Sequence, residues 1–253
     1  MTAIVMVHGA FCGAWAFEHF RAPFEAARLE VIAPDLRGHA PGDPSSAVVG
    51  ASMTDYAADI AKICAALPEP PVLLGHSMGG LVAQLAAGKA PIRALVLLAP
   101  SPPWGVAGSS LEEAATAFGV QMMGAFSSGA LQPDKSLMRT YSLDRMPKAE
   151  QEAAVARLRP ESALAVRETL NWWLDPFMTT SVGPGAIRAP SLVISGQADV
   201  VHSPTTAKAT AERIGATFKV MPGMSHWLVG EPGWETVAET ALHWLAEEIS
   251  LAA

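Results

Sequence analysis

One short segment constrains this chain more than any other: GHSMGG at residues 75–80, directly after the apolar run PVLL and before a helix-forming pattern over residues 81–87. A serine in a sharp turn between a buried strand and a helix is typical of a nucleophile elbow. Such a turn strains the serine backbone and brings strand and helix together, so only small residues fit at Gly75 and Gly79. We therefore predict that Ser77 lies at the C-terminal edge of a sheet and acts as a nucleophile.

Apolar runs and helical patterns alternate along most of the sequence. Most of these runs lack polar alternation, which is typical of strands buried on both faces. The alternation predicts an α/β fold with a mostly parallel, doubly wound sheet. The predicted strands are 3–7, 30–33, 72–74, 94–98, 191–195 and 217–221, and the helices are 15–27, 53–67, 78–88, 204–214 and 234–249.

The alternation is interrupted once, between residues 99 and 189, where helical patterns occur without a clear strand. We predict a helical lid inserted over residues 101–185, with an α/β core formed by residues 1–100 and 186–253. Loops of this length within a compact domain are usually functional. The predicted lid helices cover residues 111–124, 148–158 and 161–174.

The composition is that of a well-filled globular protein, with 50% hydrophobic and 16% charged residues. A net charge of -7 argues against a nucleic-acid partner. No apolar run approaches the roughly 20 residues that span a bilayer, and no basic leader precedes the first strand. We expect a cytoplasmic protein without a membrane partner, in which Cys12 and Cys64 are buried free thiols.

A serine hydroxyl becomes a good nucleophile only beside a base, and that base usually needs an orienting carboxylate. The acid and then the histidine follow this kind of elbow in chain order, which leaves His202, His226 and His243. We select His226, because its loop follows the last predicted strand and reaches the edge where Ser77 lies. His243 belongs to the terminal helix, and His202, three residues after Asp199, is assigned a local turn contact.

Asp199 is the predicted orienting acid, because it leaves the C-terminal end of the fifth strand, one strand before the histidine loop. The competing aspartates lie in the predicted lid and follow no strand; they are Asp134, Asp144 and Asp175. Acyl transfer also needs amide donors for the developing oxyanion. We assign these to Met78 and to Ala10 in the loop after the first strand, with Phe11 as the alternative to Ala10. We assign no metal and no organic cofactor.

With these residues in place, the chain resembles the α/β-hydrolase superfamily over nearly its whole length. The motifs that carry the resemblance are HGAF at 8–11, DLRGH at 35–39 and the Ser77 elbow, together with the predicted acid and base. The start of the chain is similar to small serine esterases akin to plant methylesterases and hydroxynitrile lyases, which implies about six strands here. A serine at the elbow departs from the aspartate of dehalogenases and epoxide hydrolases, and Trp227 replaces the lysine of the lyases.

The expected activity is hydrolysis of a carboxylic ester of a small, largely apolar molecule through an acyl-enzyme. Thioesterase, lactonase and C–C bond hydrolase activity remain open, as do a ligand-binding receptor and a cofactor-independent lyase or cyclase on the same scaffold. The oligomeric state is open as well. Apolar residues of the lid and of nearby loops are predicted to bind substrate; those residues are Trp104, Phe118, Met122, Phe126, Trp172, Trp173 and Trp227. Further candidates for the lining of the pocket are Met123, Met138 and Phe177.

Overall fold

A computed structural model of the chain describes residues 2–122 and 129–249. In chain order the strands are β1 (Ala3–Val7), β2 (Glu30–Ile32), β3 (Val72–His76), β4 (Ala94–Leu98), β5 (Ala130–Leu131), β6 (Glu161–Ser162), β7 (Ser191–Gly196) and β8 (Thr217–Met221). A sheet of six of these strands, in the order β2-β1-β3-β4-β7-β8, forms the centre, and every neighbouring pair is parallel. This confirms the predicted α/β fold.

The helices cover both faces of the sheet, because alternate side chains of each buried strand point to opposite sides. In chain order the helices are α1 (Glu18–Ala26), α2 (Met53–Ala66), α3 (Met78–Ala87), α4 (Leu111–Met122), α5 (Lys135–Leu137), α6 (Lys148–Arg157), α7 (Ala163–Leu170), α8 (Pro204–Ile214) and α9 (Trp234–Ile249). Ile4 and Met6 of β1 belong to one buried cluster with residues of α1 and α9, whereas Val5 and Val7 belong to another with residues of α2, α3 and α8. None of the helices in the described parts of the chain is long and apolar enough to cross a membrane.

The segment between β4 and β7, residues 101–185 (the insertion), differs from the prediction in one important respect. Strands β5 and β6 pair as an antiparallel ribbon where no strand was predicted. Each is only two residues long, too short to show apolar alternation. The helix predicted over 161–174 therefore begins at Ala163, with the Ser162 hydroxyl accepting from the Ala165 amide (3.3 Å), and ends at Leu170.

Smaller departures concern helix ends and turns. A 3₁₀ turn over Ala14–Phe17 precedes α1, and a second one over Trp172–Leu174 follows α7. A short helix, α5, continues into a π turn over Met138–Ser142, which the sequence did not predict. The predicted end of the first lid helix, at residues 123–124, lies outside the described residues. Both cysteines are buried free thiols, as predicted.

Candidate active site

The turn between β3 and α3 places Ser77 at the C-terminal edge of the sheet. Its backbone has φ 54° and ψ -125°, a conformation that L-residues seldom adopt. The Ser77 amide donates to the Leu98 carbonyl (3.0 Å), which fixes the turn against the next strand. A Cβ at Gly75 would collide with the Gly79 carbonyl oxygen, and one at Gly79 would collide with the Val7 carbonyl oxygen. Both glycines are therefore required by the close approach of backbone to backbone.

Three side chains from three different loops form one hydrogen-bonded chain. Ser77 Oγ lies 3.0 Å from His226 Nε2, and His226 Nδ1 lies 2.9 Å from Asp199 Oδ2. The imidazole and the carboxylate are almost completely buried. The structure thus brings together the serine, the histidine and the aspartate that the sequence analysis selected.

The Asp199 carboxylate is held in its charged form. Its second oxygen, Oδ1, accepts from the amides of Val201 (2.8 Å) and His202 (2.9 Å). Burial by itself favours the neutral acid, but attraction to His226 and these hydrogen bonds outweigh burial and lower the pKa of Asp199. A fixed negative charge therefore faces the inner nitrogen of the His226 ring.

The loop that carries His226 is held by two further buried side chains. His76 Nε2 donates to the His226 carbonyl (2.9 Å), and burial lowers the pKa of His76 to about 3. Glu231 Oε1 accepts from the Ser225 amide (2.6 Å). Burial raises the pKa of Glu231 to about 7. These contacts fix the position of His226 from both sides of the loop.

The loop after β1 passes close to Ser77. His8 braces the loop: its Nδ1 donates to the Gly9 carbonyl (2.9 Å) and its Nε2 accepts from the Leu36 amide (3.0 Å). Within residues 2–122 and 129–249, the amides of Ala10 and Met78 have no hydrogen-bond acceptor. The Phe11 amide instead points to a carboxylate oxygen of Glu161 (3.4 Å). Of the two alternatives in this loop, Ala10 is the one whose amide has no acceptor.

A cavity of about 530 Å³ opens beside Ser77 and is lined mainly by apolar side chains. Four of the predicted substrate-binding residues line it, namely Phe118, Trp172, Trp173 and Trp227. Phe118 and Trp173 are more than half exposed, which places them at the mouth of the cavity. Of the further lining candidates, Met138 lines the cavity from the unpredicted π turn, Phe177 is not part of the described cavity wall, and Met123 lies outside the described residues. The sequence analysis missed Tyr141, which lines the cavity from the same turn.

Three predicted substrate-binding residues need separate treatment. Trp104 is not part of the described cavity wall, which corrects the prediction: its ring packs edge-to-face on Trp172 (5.4 Å between centroids) and its indole donates to the Asp175 carbonyl (3.2 Å). Phe126 lies outside the described residues, and so does the side chain of Met122.

His202 makes the predicted contact with the turn, through its amide to Asp199 Oδ1, and a second one that was not predicted. Its Nε2 lies 2.9 Å from Ser101 Oγ, and its ring lies 5.4 Å from the His226 ring. Burial lowers the pKa of His202 to about 4, so the ring is neutral at pH 7. His202 and Ser101 therefore form a polar, uncharged part of the cavity wall.

The family model described as "Alpha/beta hydrolase family" matches residues 4–240. The chain belongs to this family. Among curated proteins, a pyrethroid hydrolase from Sphingobium wenxiniae is 38% identical over 80 residues, a stretch that covers 32% of this chain and 28% of that protein. The matched stretch is thus well under half the length of that relative.

Solved structures of other proteins share the fold over almost the full length of this chain. A pyrethroid hydrolase from Sphingobium faniae superposes with a TM-score of 0.75 at 23% identity, covering 97% of both chains. The methylesterase protein MES16 from Arabidopsis gives a TM-score of 0.72 at 19% identity, covering 99% of both chains. A thermophilic esterase from Thermogutta terrifontis gives 0.71 at 24% identity, covering 98% of this chain and 91% of the esterase.

Proposed function

We propose that this protein hydrolyses a carboxylic ester of a small, largely apolar molecule through an acyl-enzyme on Ser77. The observation that carries the proposal is the continuous hydrogen-bonded chain from Ser77 through His226 to Asp199 at the wall of an apolar cavity. Hydrolase, methylesterase and esterase are also the names of the proteins with which the chain shares its fold.

In this mechanism Ser77 Oγ attacks the ester carbonyl carbon while His226 Nε2 accepts the hydroxyl proton. Asp199 accepts a hydrogen bond from Nδ1, which keeps the imidazole in the tautomer with a free Nε2, and stabilises the imidazolium. The carbonyl oxygen, now negative, accepts from the Ala10 and Met78 amides. His226 then donates its proton to the departing alkoxide, and the alcohol leaves.

Deacylation repeats these steps with water. His226 Nε2 removes a proton from a water molecule, whose oxygen attacks the acyl carbon, and the bond from that carbon to Ser77 Oγ breaks. His226 returns the proton to Ser77. All groups that move a proton or hold charge in this cycle belong to the described part of the chain, and the products are an acid and an alcohol.

The test begins with p-nitrophenyl esters of increasing acyl length and a fluorophosphonate probe. We expect turnover of short to medium apolar esters and a covalent adduct on Ser77. The Ser77→Ala variant should form no adduct. Its turnover should fall by a factor on the order of 10⁶, the loss found for a comparable triad. Ser181→Ala serves as the matched control, because Ser181 is exposed and belongs to none of the site elements.

Three outcomes would contradict the proposal. Turnover that survives Ser77→Ala would remove the assigned nucleophile. If a matched thioester, lactone or C–C substrate were turned over faster than the ester, the assigned activity would be that other acyl transfer and not ester hydrolysis. Labelling of Ser77 with binding but no turnover of any substrate would identify a receptor.

A further inference from the structure

The insertion contacts the loop after β1 on both sides of one residue, Phe11. The amide of Arg159 donates to the Phe11 carbonyl (2.8 Å), and the Phe11 amide donates to Glu161 Oε2 (3.4 Å). Phe11 itself has φ 64°, a left-handed conformation that is costly for a bulky side chain. Such a conformation persists only where the surroundings hold it, and here residues 159–161 hold it.

Glu161 is a charged residue in a fully buried position, and each of its oxygens has a partner. Oε1 accepts from the Tyr56 hydroxyl (2.6 Å) and the Ser162 amide (2.7 Å), while Oε2 lies 3.1 Å from His39 Nε2. Burial opposes a charge on either ring or carboxylate, but their mutual attraction outweighs it, lowering the pKa of Glu161 and raising that of His39. The carboxylate is therefore held rigidly between the core and the insertion.

Phe11 directly follows Ala10, whose amide is a proposed donor to the oxyanion. A donor of this kind works only if its direction is set before the reaction, and a displacement of about 0.5 Å already reduces its effect. We propose that Glu161 is a positioning residue, which fixes the loop of residues 9–11 from the insertion so that the Ala10 amide faces the reacting carbonyl. The insertion thereby contributes to the rate of the reaction as well as to the cavity wall.

This inference rests on the proposed ester hydrolysis, and the Glu161→Gln variant tests it. The amide retains the shape of the carboxylate but loses the ion pair with His39 and weakens the contact with Phe11. We expect kcat to fall by about 10- to 100-fold, part of the loss caused by removing one oxyanion donor, while KM stays within about threefold of wild type.

The inhibition constants of two related ketones distinguish a positioning role from a general loss of structure, which would weaken both inhibitors alike. A trifluoromethyl ketone forms a tetrahedral oxyanion adduct with the serine, whereas the matching methyl ketone binds without needing that stabilisation. Glu161→Gln should weaken the trifluoromethyl ketone by the same factor as kcat and leave the methyl ketone unchanged. Equal weakening of both ketones would overturn the proposal.

Glu168→Gln is the matched control. Glu168 also lies on the insertion and is half-buried against the core, where its Oε2 accepts from the Met53 amide (2.7 Å). Within the described residues, neither this hydrogen bond nor the charges that act on Glu168 involve the loop after β1. Its change should leave kcat and both inhibition constants at wild-type values. If Glu168→Gln and Glu161→Gln reduced kcat equally, the positioning role would be refuted.

A second pair of variants covers the case in which Glu161→Gln does not fold. Arg159→Pro removes the amide that donates to Phe11, and Arg159→Ala removes only the side chain, which contacts the Asp43 carbonyl. Leu158, with ψ 142°, already has the extended backbone that a following proline favours. We expect kcat of Arg159→Pro to lie at least tenfold below that of Arg159→Ala, and equal values would contradict the proposal. If Ser77→Ala left turnover unchanged, the proposed function itself would be contradicted.

Discussion

Glu231 has a buried carboxyl next to the histidine loop, and its titration should be visible in the stability of the protein. One oxygen accepts from the Ser225 amide, while the other is buried without a hydrogen-bond partner in the described residues. Asp144 and Asp199 repel a charge on it and His226 attracts one, but burial dominates and raises the pKa to about 7. We predict that Glu231→Gln makes the protein more stable than wild type as the pH rises.

The sign follows from proton binding. Below the ordinary pKa of a glutamate, 4.5, the carboxyl is neutral in both the folded and the unfolded chain, so it contributes no pH-dependent penalty. Between 4.5 and about 7 the unfolded chain loses its proton while the folded chain keeps it, and folding becomes steadily less favourable. The full difference corresponds to about 3 kcal/mol. We expect about 2 kcal/mol of it between pH 5 and pH 8, because partial access of water to the site reduces it.

Urea denaturation of wild type and Glu231→Gln at pH 5 and pH 8 measures this effect. The difference in free energy of unfolding between variant and wild type should shift in favour of the variant by about 2 kcal/mol from pH 5 to pH 8. Glutamine keeps an oxygen for the Ser225 amide, and any pH-independent cost of the new amide cancels in this comparison. Glu239→Gln, at an exposed position of α9, should show no such shift. An equal difference at both pH values would refute the reasoning.

Three further predictions concern the elbow, the triad and the cavity. Asp199→Asn should lower kcat for a p-nitrophenyl ester by about 10⁴-fold, because an amide can hold the wrong imidazole tautomer; a loss below tenfold would contradict its role. Gly79→Ala should yield no soluble folded protein by circular dichroism, since the new Cβ meets the Val7 carbonyl, and a native spectrum would disprove the packing argument. Trp173→Ala should raise KM for aryl esters about three- to tenfold with an unchanged melting temperature, because the ring lies at the cavity mouth; an unchanged KM would exclude that contact.

The parts of the fold that were predicted correctly depend on local patterns. A strand buried on both faces is a continuous apolar run. All six predicted strands belong to the central sheet, and four of them, β1, β3, β4 and β7, are buried along their whole length. The ribbon of β5 and β6 was missed, because a pair of two-residue strands has no periodicity of its own. Trp104 was assigned to the cavity wall for its apolar ring, but the direction of a loop side chain depends on its neighbours, and here Trp172 and the Asp175 carbonyl fix it.

The sequence by itself determined the turn at Ser77, through glycines whose small size the turn requires, and the choice of Asp199 and His226. It did so because strand ends of a parallel sheet share one edge, so chain position predicts which side chains meet. Only the tertiary structure revealed Glu161 and Glu231. Glu161 lies 150 residues from the Phe11 amide that it accepts from, and in the sequence it looks like any surface carboxylate. Its burial and its partners exist only once the insertion packs on the core, and no local pattern carries that information.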